Sequence, residues 1–303
     1  MKKKILIFGG SGLLGKNFID YCLKKNFTII VHENKTKVNK KVNKVKFELN
    51  TNRLENFFSK FKKNEFLVFS FIGMTSIEFS EQNKKNAFKT NFLVNKKICD
   101  ICKKTSNKFI FISTDHIFTG KKRIFYTEKA KTKAVNYYAK TKIEAENYIK
   151  RNFNDYLIIR SNFLCKGSKK NKINYKKSFS DSIVDNLKNN KQMHLWSNVF
   201  FTPIHVKILF ELIFRLIVNN KKGIFHISSS QIVSKFNLGI SISKKLKLNE
   251  KLILPNNFDR KKFINRPKYM TLSNKKIKKL FNLKSSYLSI ENQINMLAKD
   301  YKN

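Results

Sequence analysis

A glycine-rich turn lies between a short apolar run and a helical pattern at the start of the chain. Residues 4–8 predict a buried strand, and three glycines follow it at the spacing GxxGxxG. This spacing permits a tight turn, a close approach of the backbone to a pyrophosphate, and close packing of the helix on the strand. The amino terminus of the helix adds free N–H groups for that anion. The residues of this predicted dinucleotide site are Gly9, Ser11, Gly12, Leu13, Leu14 and Gly15.

Strands and helices alternate along the first 160 residues. Further apolar runs predict strands at 27–31, 45–50, 66–72, 109–113 and 156–160. Such alternation implies right-handed βαβ crossovers, so the fold class is α/β, a Rossmann-type doubly wound parallel sheet with a smaller C-terminal α+β substrate domain. The expected dinucleotide-binding domain covers 1–164 and roughly 198–228, and the substrate domain covers roughly 165–197 and 229–303.

Small polar residues end the fifth predicted strand, where open α/β sheets place their ligands. Thr114 lies there, and Tyr138 and Lys142 follow four residues apart in a helical pattern. Residues at this spacing share one face of a helix. A hydroxyl, a phenol and an ammonium can therefore converge on one point and transfer a proton to a carbonyl. The alternative is that Tyr138 and Lys142 are only a surface pair.

The formal net charge of +44 comes from 64 basic against 20 acidic residues. A charge of this size often indicates a partner such as nucleic acid or an anionic membrane. Here the excess is nearly all lysine and is spread along the chain, in which other residues with A/T-rich codons are also frequent. We therefore favour genome composition as the cause and expect no specific nucleic-acid binding, although the charge would attract a nucleotide-bearing substrate.

The four cysteines are too few for a disulfide framework in a chain of 303 residues. The apolar run near the amino terminus is too short for a signal peptide and has no cleavage site behind it. The apolar stretch at 204–218 carries four ionisable residues, so it predicts a core helix. We expect a cytoplasmic protein without membrane insertion.

An acidic residue follows the second predicted strand. Glu33 lies eighteen residues beyond Gly15, near the place where a carboxylate holds the ribose 2′-hydroxyl in NAD binders. Lys35 and Lys37 come next and could instead bind a 2′-phosphate. The pattern leans weakly to NAD and leaves NADP open.

Taken together, these motifs resemble the extended short-chain dehydrogenase/reductase family, and within it the dTDP-4-dehydrorhamnose reductase-like, nucleotide-sugar-binding branch. The resemblance covers essentially the whole chain. Its most specific part is the combination of STDHIFTG at 113–120 with NYYAKTK at 136–142; NRP at 265–267 also matches. It implies an NAD(P)H-dependent reductase of the 4-keto group of a nucleotide-linked deoxysugar, in the synthesis of cell-surface polysaccharide precursors. A homodimer is compatible with it.

The resemblance also implies roles for single residues. Tyr138 is the general acid, Lys142 favours the ionised phenol and bonds the nicotinamide ribose, and Thr114 holds the reacting oxygen. The further cofactor residues that it implies are Glu33, Asn50, Ser70, Phe71 and Ile72. The substrate residues that it implies are Thr75, His116, Phe163 and Arg266. It implies no metal.

Several positions depart from the family pattern. The wall at 70–73 (SFIG) is bulkier than the usual Asn-Ala-Ala-Ala, and Asn50 stands where an acidic residue is expected near the adenine. His116 and Phe163 replace Tyr and Trp beside the sugar, which leaves the sugar open. His116 also replaces the Glu of the family's 4,6-dehydratases, which disfavours dehydration. An epimerase and a non-catalytic regulatory subunit stay as alternatives, and a nucleic-acid binder is supported by charge alone.

Overall fold

A computed structural model describes residues 3–34, 36–38, 42–49, 52–167, 177–259 and 261–302 of the protein. The strands are β1 (Lys4–Phe8), β2 (Ile29–Glu33), β3 (Asn43–Lys46), β4 (Phe66–Ser70), β5 (Lys108–Ile112), β6 (Tyr156–Arg160), β7 (Phe163–Leu164), β8 (Met193–Trp196), β9 (Phe200–Phe201), β10 (Ile204–His205), β11 (Gly223–His226), β12 (Val233–Ser234), β13 (Ile253–Asn256) and β14 (Tyr269–Met270). The α-helices are α1 (Leu13–Lys24), α2 (Arg53–Phe58), α3 (Ile77–Gln82), α4 (Lys84–Phe88), α5 (Val94–Lys104), α6 (Tyr137–Asn152), α7 (Phe179–Lys188), α8 (Val206–Val218), α9 (Lys235–Lys245), α10 (Lys275–Leu280) and α11 (Ile290–Lys302).

Seven strands form one sheet in the order β11-β6-β5-β4-β1-β2-β3. The pairs from β6 across to β3 are parallel. The predicted Rossmann-type α/β fold is therefore confirmed. Parallel strands end at the same edge, so the segments that follow β1, β2, β4 and β5 lie side by side there.

Apolar side chains cover both faces of this sheet. On one face, alternate residues of β1, β4 and β5 pack with helices α2, α5 and α6 in one buried cluster. On the other face, Phe18 of α1 contacts Phe69 of β4 and Phe214 of α8, with ring centroids 4.4 and 6.0 Å apart. Burial on both faces explains why these strands read as continuous apolar runs in the sequence.

The helical part of the chain between β4 and β5 is divided into separate segments. A π-helical turn at Lys89–Leu93 joins α4 to α5. Such turns are rare, and they often occur at functional sites. This one directs the fully buried side chain of Asn91 towards Met74 and Thr141.

The chain divides into two compact units. The first contains residues 1–114, 136–159 and 213–224, and the second contains 115–135, 160–212 and 225–303. The second unit has its own apolar core, to which α7, α9 and α11 contribute. The assignment of dinucleotide binding to 1–164 with 198–228, and of substrate binding to the remainder, stays a prediction.

None of the helices in the described residues has the length and apolar character needed to cross a bilayer.

Candidate functional site

The glycine turn after β1 is tightly packed. Gly9 has φ +81°, and a Cβ there would lie 2.7 Å from the backbone carbon of Phe71. A Cβ on Gly15 would lie 2.3 Å from the carbonyl oxygen of Gly9. Helix α1 begins at Leu13 with Gly12 as its N-cap. The turn thus needs glycine at its first and last positions, and it presents the amino terminus of α1 at the sheet edge.

A cavity of about 530 Å³ opens beside this turn, within the first unit. It is lined by Gly9, Ser11, Gly12, His32, Asn34, Thr36, Glu48, Leu49, Phe71, Ile72, Gly73, Lys89, Thr90 and Val94. These residues come from the ends of β1, β2 and β4, from the segment after β3, and from the π-helical turn with the first residue of α5. The cavity is therefore a groove along the carboxyl edge of the sheet, the shape of site that a Rossmann-type sheet gives a dinucleotide.

Some of the predicted cofactor residues line the cavity, and others lie behind its wall. Gly9, Ser11, Gly12, Phe71 and Ile72 line the cavity. Gly15 supports the turn from behind through its contact with Gly9. Leu13 and Leu14 begin helix α1.

Three other predicted cofactor residues are not among the residues that line the cavity. Ser70 is buried, and its hydroxyl donates to Asn95 Oδ1 at 2.5 Å. The Glu33 carboxylate accepts a hydrogen bond from the Val38 amide. Asn50 lies outside the described residues.

Sequence reasoning missed most of the lining that β2 and β3 contribute to the cavity. His32, Asn34 and Thr36 follow or end β2, and Glu48 follows β3. The acidic Glu48, two residues before the predicted Asn50, was the signal that the sequence offered. The side chain of His32 is buried, and burial lowers its pKa, so the ring is neutral at pH 7.

One face of helix α6 lies along the end of β5. Lys142 Nζ donates to the carbonyl oxygen of Ile112 at 2.6 Å, and Ser113 Oγ donates to Glu146 Oε1 at 2.5 Å. Tyr138 occupies the same face one turn before Lys142 and is only 7% exposed. Thr114, at 6% exposed, follows Ser113 directly. The phenol, the amine and the threonine hydroxyl thus belong to adjoining segments at one sheet edge.

Burial dominates the electrostatics of Lys142. The residue is 3% exposed, and burial lowers the pKa of its amine from 10.5 to about 7, while the Glu146 carboxylate raises it. The ammonium lies 3.9 Å from the centroid of the Phe111 ring. The amine is therefore balanced between its charged and neutral forms near pH 7, as expected for a group that titrates during a reaction.

Two polar contacts hold the start of α6. Glu81 Oε1 accepts a hydrogen bond from the Tyr137 amide at 2.6 Å, and Asn136 Oδ1 accepts from the Ala139 amide at 2.9 Å. Both acceptors satisfy amides that the first turn of a helix leaves without a partner. They fix the helical turn that carries Tyr138.

Asn91 connects this helix to the loop after β4. Its Nδ2 donates to Thr141 Oγ1 at 2.9 Å, and its Oδ1 accepts from the Met74 amide at 2.6 Å. Thr75, a predicted substrate residue, is the next residue of that loop and is exposed. The π-helical turn therefore links the wall of the cavity to the helix of Tyr138.

The other predicted substrate residues belong to the second unit. Phe163 lies in β7, paired with Ile204 of β10. The guanidinium of Arg266 lies 4.8 Å from the centroid of the Trp196 ring. Burial, together with the nearby charges of Lys235 and Arg266, lowers the pKa of His116 to about 3. His116 is thus a neutral ring, and the Asp115 carboxylate lies 4.0 Å from its Nε2.

The family model described as RmlD substrate binding domain matches residues 2–301. The chain belongs to this family. The predicted resemblance to the extended short-chain dehydrogenase/reductase family and its dTDP-4-dehydrorhamnose reductase-like branch is therefore confirmed. Among curated proteins, the spore coat polysaccharide biosynthesis protein SpsK of Bacillus subtilis (strain 168) is 24% identical over 170 residues, 56% of this chain and 57% of that protein. The match thus spans little more than half the length of this curated relative.

Solved structures share the fold across the chain. A dTDP-4-dehydrorhamnose reductase from Bacillus anthracis in complex with NADP has a TM-score of 0.82 at 19% identity, covering 98% of this chain and 99% of that one. A UDP-glucose 4-epimerase from Thermotoga maritima with UDP-glucose has a TM-score of 0.79 at 16% identity, covering 99% and 98%. Reductase and epimerase therefore share this fold, and the reaction has to be argued from the site.

Proposed function

We propose that the protein is an NAD(P)H-dependent reductase of the 4-keto group of a nucleotide-linked deoxysugar, in the synthesis of a cell-surface polysaccharide precursor. The observation that supports this proposal most is the hydrogen bond from Lys142 Nζ to the Ile112 carbonyl oxygen. Through this bond, the face of α6 that carries Tyr138 contacts the end of β5, and β5 lies beside the strands whose ends form the groove. The names of the similar dTDP-4-dehydrorhamnose reductase and of the similar spore coat polysaccharide biosynthesis protein support the same substrate class.

A dinucleotide fits the residues of the groove. The glycine turn leaves no room for side chains at Gly9 and Gly15, and a Cβ on Gly12 would meet, among the described residues, only the carbonyl oxygen of Gly9, at 3.4 Å. A pyrophosphate can therefore approach the backbone at the start of α1. Ser11 and the α1 amides would hold the pyrophosphate, and Glu48 and Leu49 would face the adenine. When bound, the dinucleotide supplies a hydride.

The remaining chemistry falls to three side chains. The Tyr138 hydroxyl donates a proton to the carbonyl oxygen of the sugar, so that the carbonyl carbon gains one C–H bond from the hydride and the oxygen gains one O–H bond from the proton. Thr114 donates a hydrogen bond to the same oxygen and orients it. Lys142, when charged, stabilises the tyrosinate that is left. For His116, Phe163 and Arg266, in the second unit, contact with the substrate stays a prediction.

The direct test follows the absorbance of NADH and NADPH against a panel of nucleotide-linked 4-keto sugars. Tyr138→Phe should lose at least about a thousandfold in kcat and keep dinucleotide affinity within about threefold, because only the proton donor is removed. Tyr137→Phe is the matched control, since it removes the same hydroxyl from the neighbouring position and should keep activity. Full turnover by Tyr138→Phe would refute the assignment of the acid.

A further inference from the structure

Two consecutive turns of α6 are hydrogen-bonded to the end of β5. Lys142 Nζ donates to the Ile112 carbonyl oxygen at 2.6 Å. One turn later, Glu146 Oε1 accepts a hydrogen bond from Ser113 Oγ at 2.5 Å. Strand β5 ends at Ile112, so Ser113 is the first residue after it and Thr114 is the second. The two bonds therefore hold the chain directly before Thr114 against the buried face of α6.

Both partners of the second bond are shielded from water. Ser113 is buried, and Glu146 is only 1% exposed. A buried carboxylate is stable when hydrogen bonds and a nearby cation replace the water that it has lost. The Ser113 hydroxyl supplies a hydrogen bond, and the ammonium of Lys142, four residues earlier on the same face of α6, supplies a positive charge.

The charge of Glu146 acts on the Lys142 amine. Burial lowers the pKa of this amine to about 7, and the Glu146 carboxylate raises it. From β6, the Tyr156 phenol faces the same carboxylate, and burial together with that carboxylate raises the pKa of the phenol, so that it carries no charge at pH 7. Tyr138 lies one turn before Lys142 on the same face of α6. The Glu146 carboxylate thus favours a protonated Lys142 amine at pH 7.

We propose that Glu146 and Ser113 are positioning residues for the reaction. The Glu146 carboxylate keeps the Lys142 amine charged, so that the amine can stabilise the tyrosinate. The hydrogen bond from Ser113 holds the start of the segment that carries Thr114. Both side chains act through the catalytic residues and not on the sugar. The inference rests on the proposed function, because it assigns the two side chains to that reaction.

Carbon-13 NMR of the protein labelled at the lysine Cε measures the charge of Lys142 without a substrate, and the Lys142 signal is the one that Lys142→Met lacks. Glu146→Gln keeps an acceptor for Ser113 but removes the charge, so the midpoint of the Lys142 titration should fall by at least about one pH unit. Glu144→Gln removes the same charge from the exposed side of α6 and should move this midpoint by less than about 0.3 pH unit.

The pH dependence of kcat gives a second readout. Turnover should fall as the pH rises through the Lys142 midpoint, because the reaction needs the charged amine. This fall should move to lower pH by at least about one unit in Glu146→Gln, and Glu146→Asp, which restores the charge, should return it to within about half a unit of wild type. Ser113→Ala keeps the carboxylate and should lower kcat about tenfold at every pH without moving the midpoint.

Circular dichroism checks that each variant is folded, and Glu146→Met, which also removes the charge, replaces Glu146→Gln if that variant is unfolded. An unchanged Lys142 midpoint in the uncharged variant would overturn the role of the carboxylate. Wild-type kcat in Ser113→Ala would overturn the role of its hydrogen bond. Both results leave the proposed function intact. A wild type that reduces no nucleotide-linked 4-keto sugar, while the NMR midpoints shift as expected, would instead overturn the proposed function and leave the pairing of Glu146 with Lys142.

Discussion

Replacing Lys142 by methionine should make the protein more stable at pH 6 and inactive. The folded chain holds the amine at a pKa of about 7 against 10.5 in water. At 1.36 kcal/mol for each factor of ten, keeping it protonated inside the fold costs about 5 kcal/mol. Methionine has a similar volume and no charge, but it leaves the Ile112 carbonyl without this donor, a loss of about 2 kcal/mol. The expected net gain at pH 6 is about 3 kcal/mol.

The gain should disappear as the pH rises. Between pH 7 and 10.5 the unfolded chain keeps a proton on Lys142 that the folded chain has released, so wild-type stability rises with pH in this window. By pH 9 the wild type recovers about 3 kcal/mol from this group. The free energies of unfolding of wild type and Lys142→Met should therefore be nearly equal at pH 9.

Urea unfolding at pH 6, 7.5 and 9, without added dinucleotide, measures these free energies. Lys140→Met is the matched control, because Lys140 is exposed on the same helix and its removal should change stability by less than about 0.5 kcal/mol at every pH. Two results would refute the claim that burying the Lys142 ammonium lowers the stability of the fold. In the first, Lys142→Met is less stable than wild type at pH 6. In the second, the difference between their free energies of unfolding is the same at pH 6 and pH 9.

Two other substitutions test the parts that position the site. Gly15→Ala should lower the free energy of unfolding by about 2 kcal/mol and weaken dinucleotide binding at least tenfold, because its Cβ would lie 2.3 Å from the Gly9 carbonyl oxygen. Calorimetry at one temperature measures the binding. An unchanged affinity would contradict the role of the turn. Glu81→Ala should cost about 1 kcal/mol and lower kcat, since it removes the acceptor for the Tyr137 amide. Glu144→Ala, on the exposed side of α6, is its control and should change neither quantity.

The sheet and the Tyr138 face could be predicted because both depend on local patterns. The strands at 4–8 and 156–160 have the predicted bounds, since buried parallel strands are continuous apolar runs between helical patterns. Tyr138 and Lys142 share a face because any helix brings residues four apart together. The third strand lies earlier than predicted, at Asn43–Lys46, where its register sets Val45 opposite His32.

The lining that follows β2 and β3 could not be predicted because it depends on contacts across a loop. Nothing local in the sequence indicates that Glu33 bonds the Val38 amide and so leaves Asn34 and Thr36 to face the cavity. The π-helical turn could not be predicted for the same reason, because Asn91 within it forms hydrogen bonds with Met74 and Thr141, which are distant in the sequence. Helix α11 was missed although Ile294 and Leu297 recur at helical spacing and are buried.

The measurement closest to the central claim is the transfer of deuterium. Wild-type protein is given a nucleotide-linked 4-keto sugar and NADPH carrying deuterium on both positions of the nicotinamide C4, and the product is analysed by NMR and mass spectrometry. We predict one deuterium on the former keto carbon of the sugar and oxidised dinucleotide in equal amount, with neither product formed by Tyr138→Phe. A wild-type protein that binds both ligands but returns the sugar unlabelled would contradict the account.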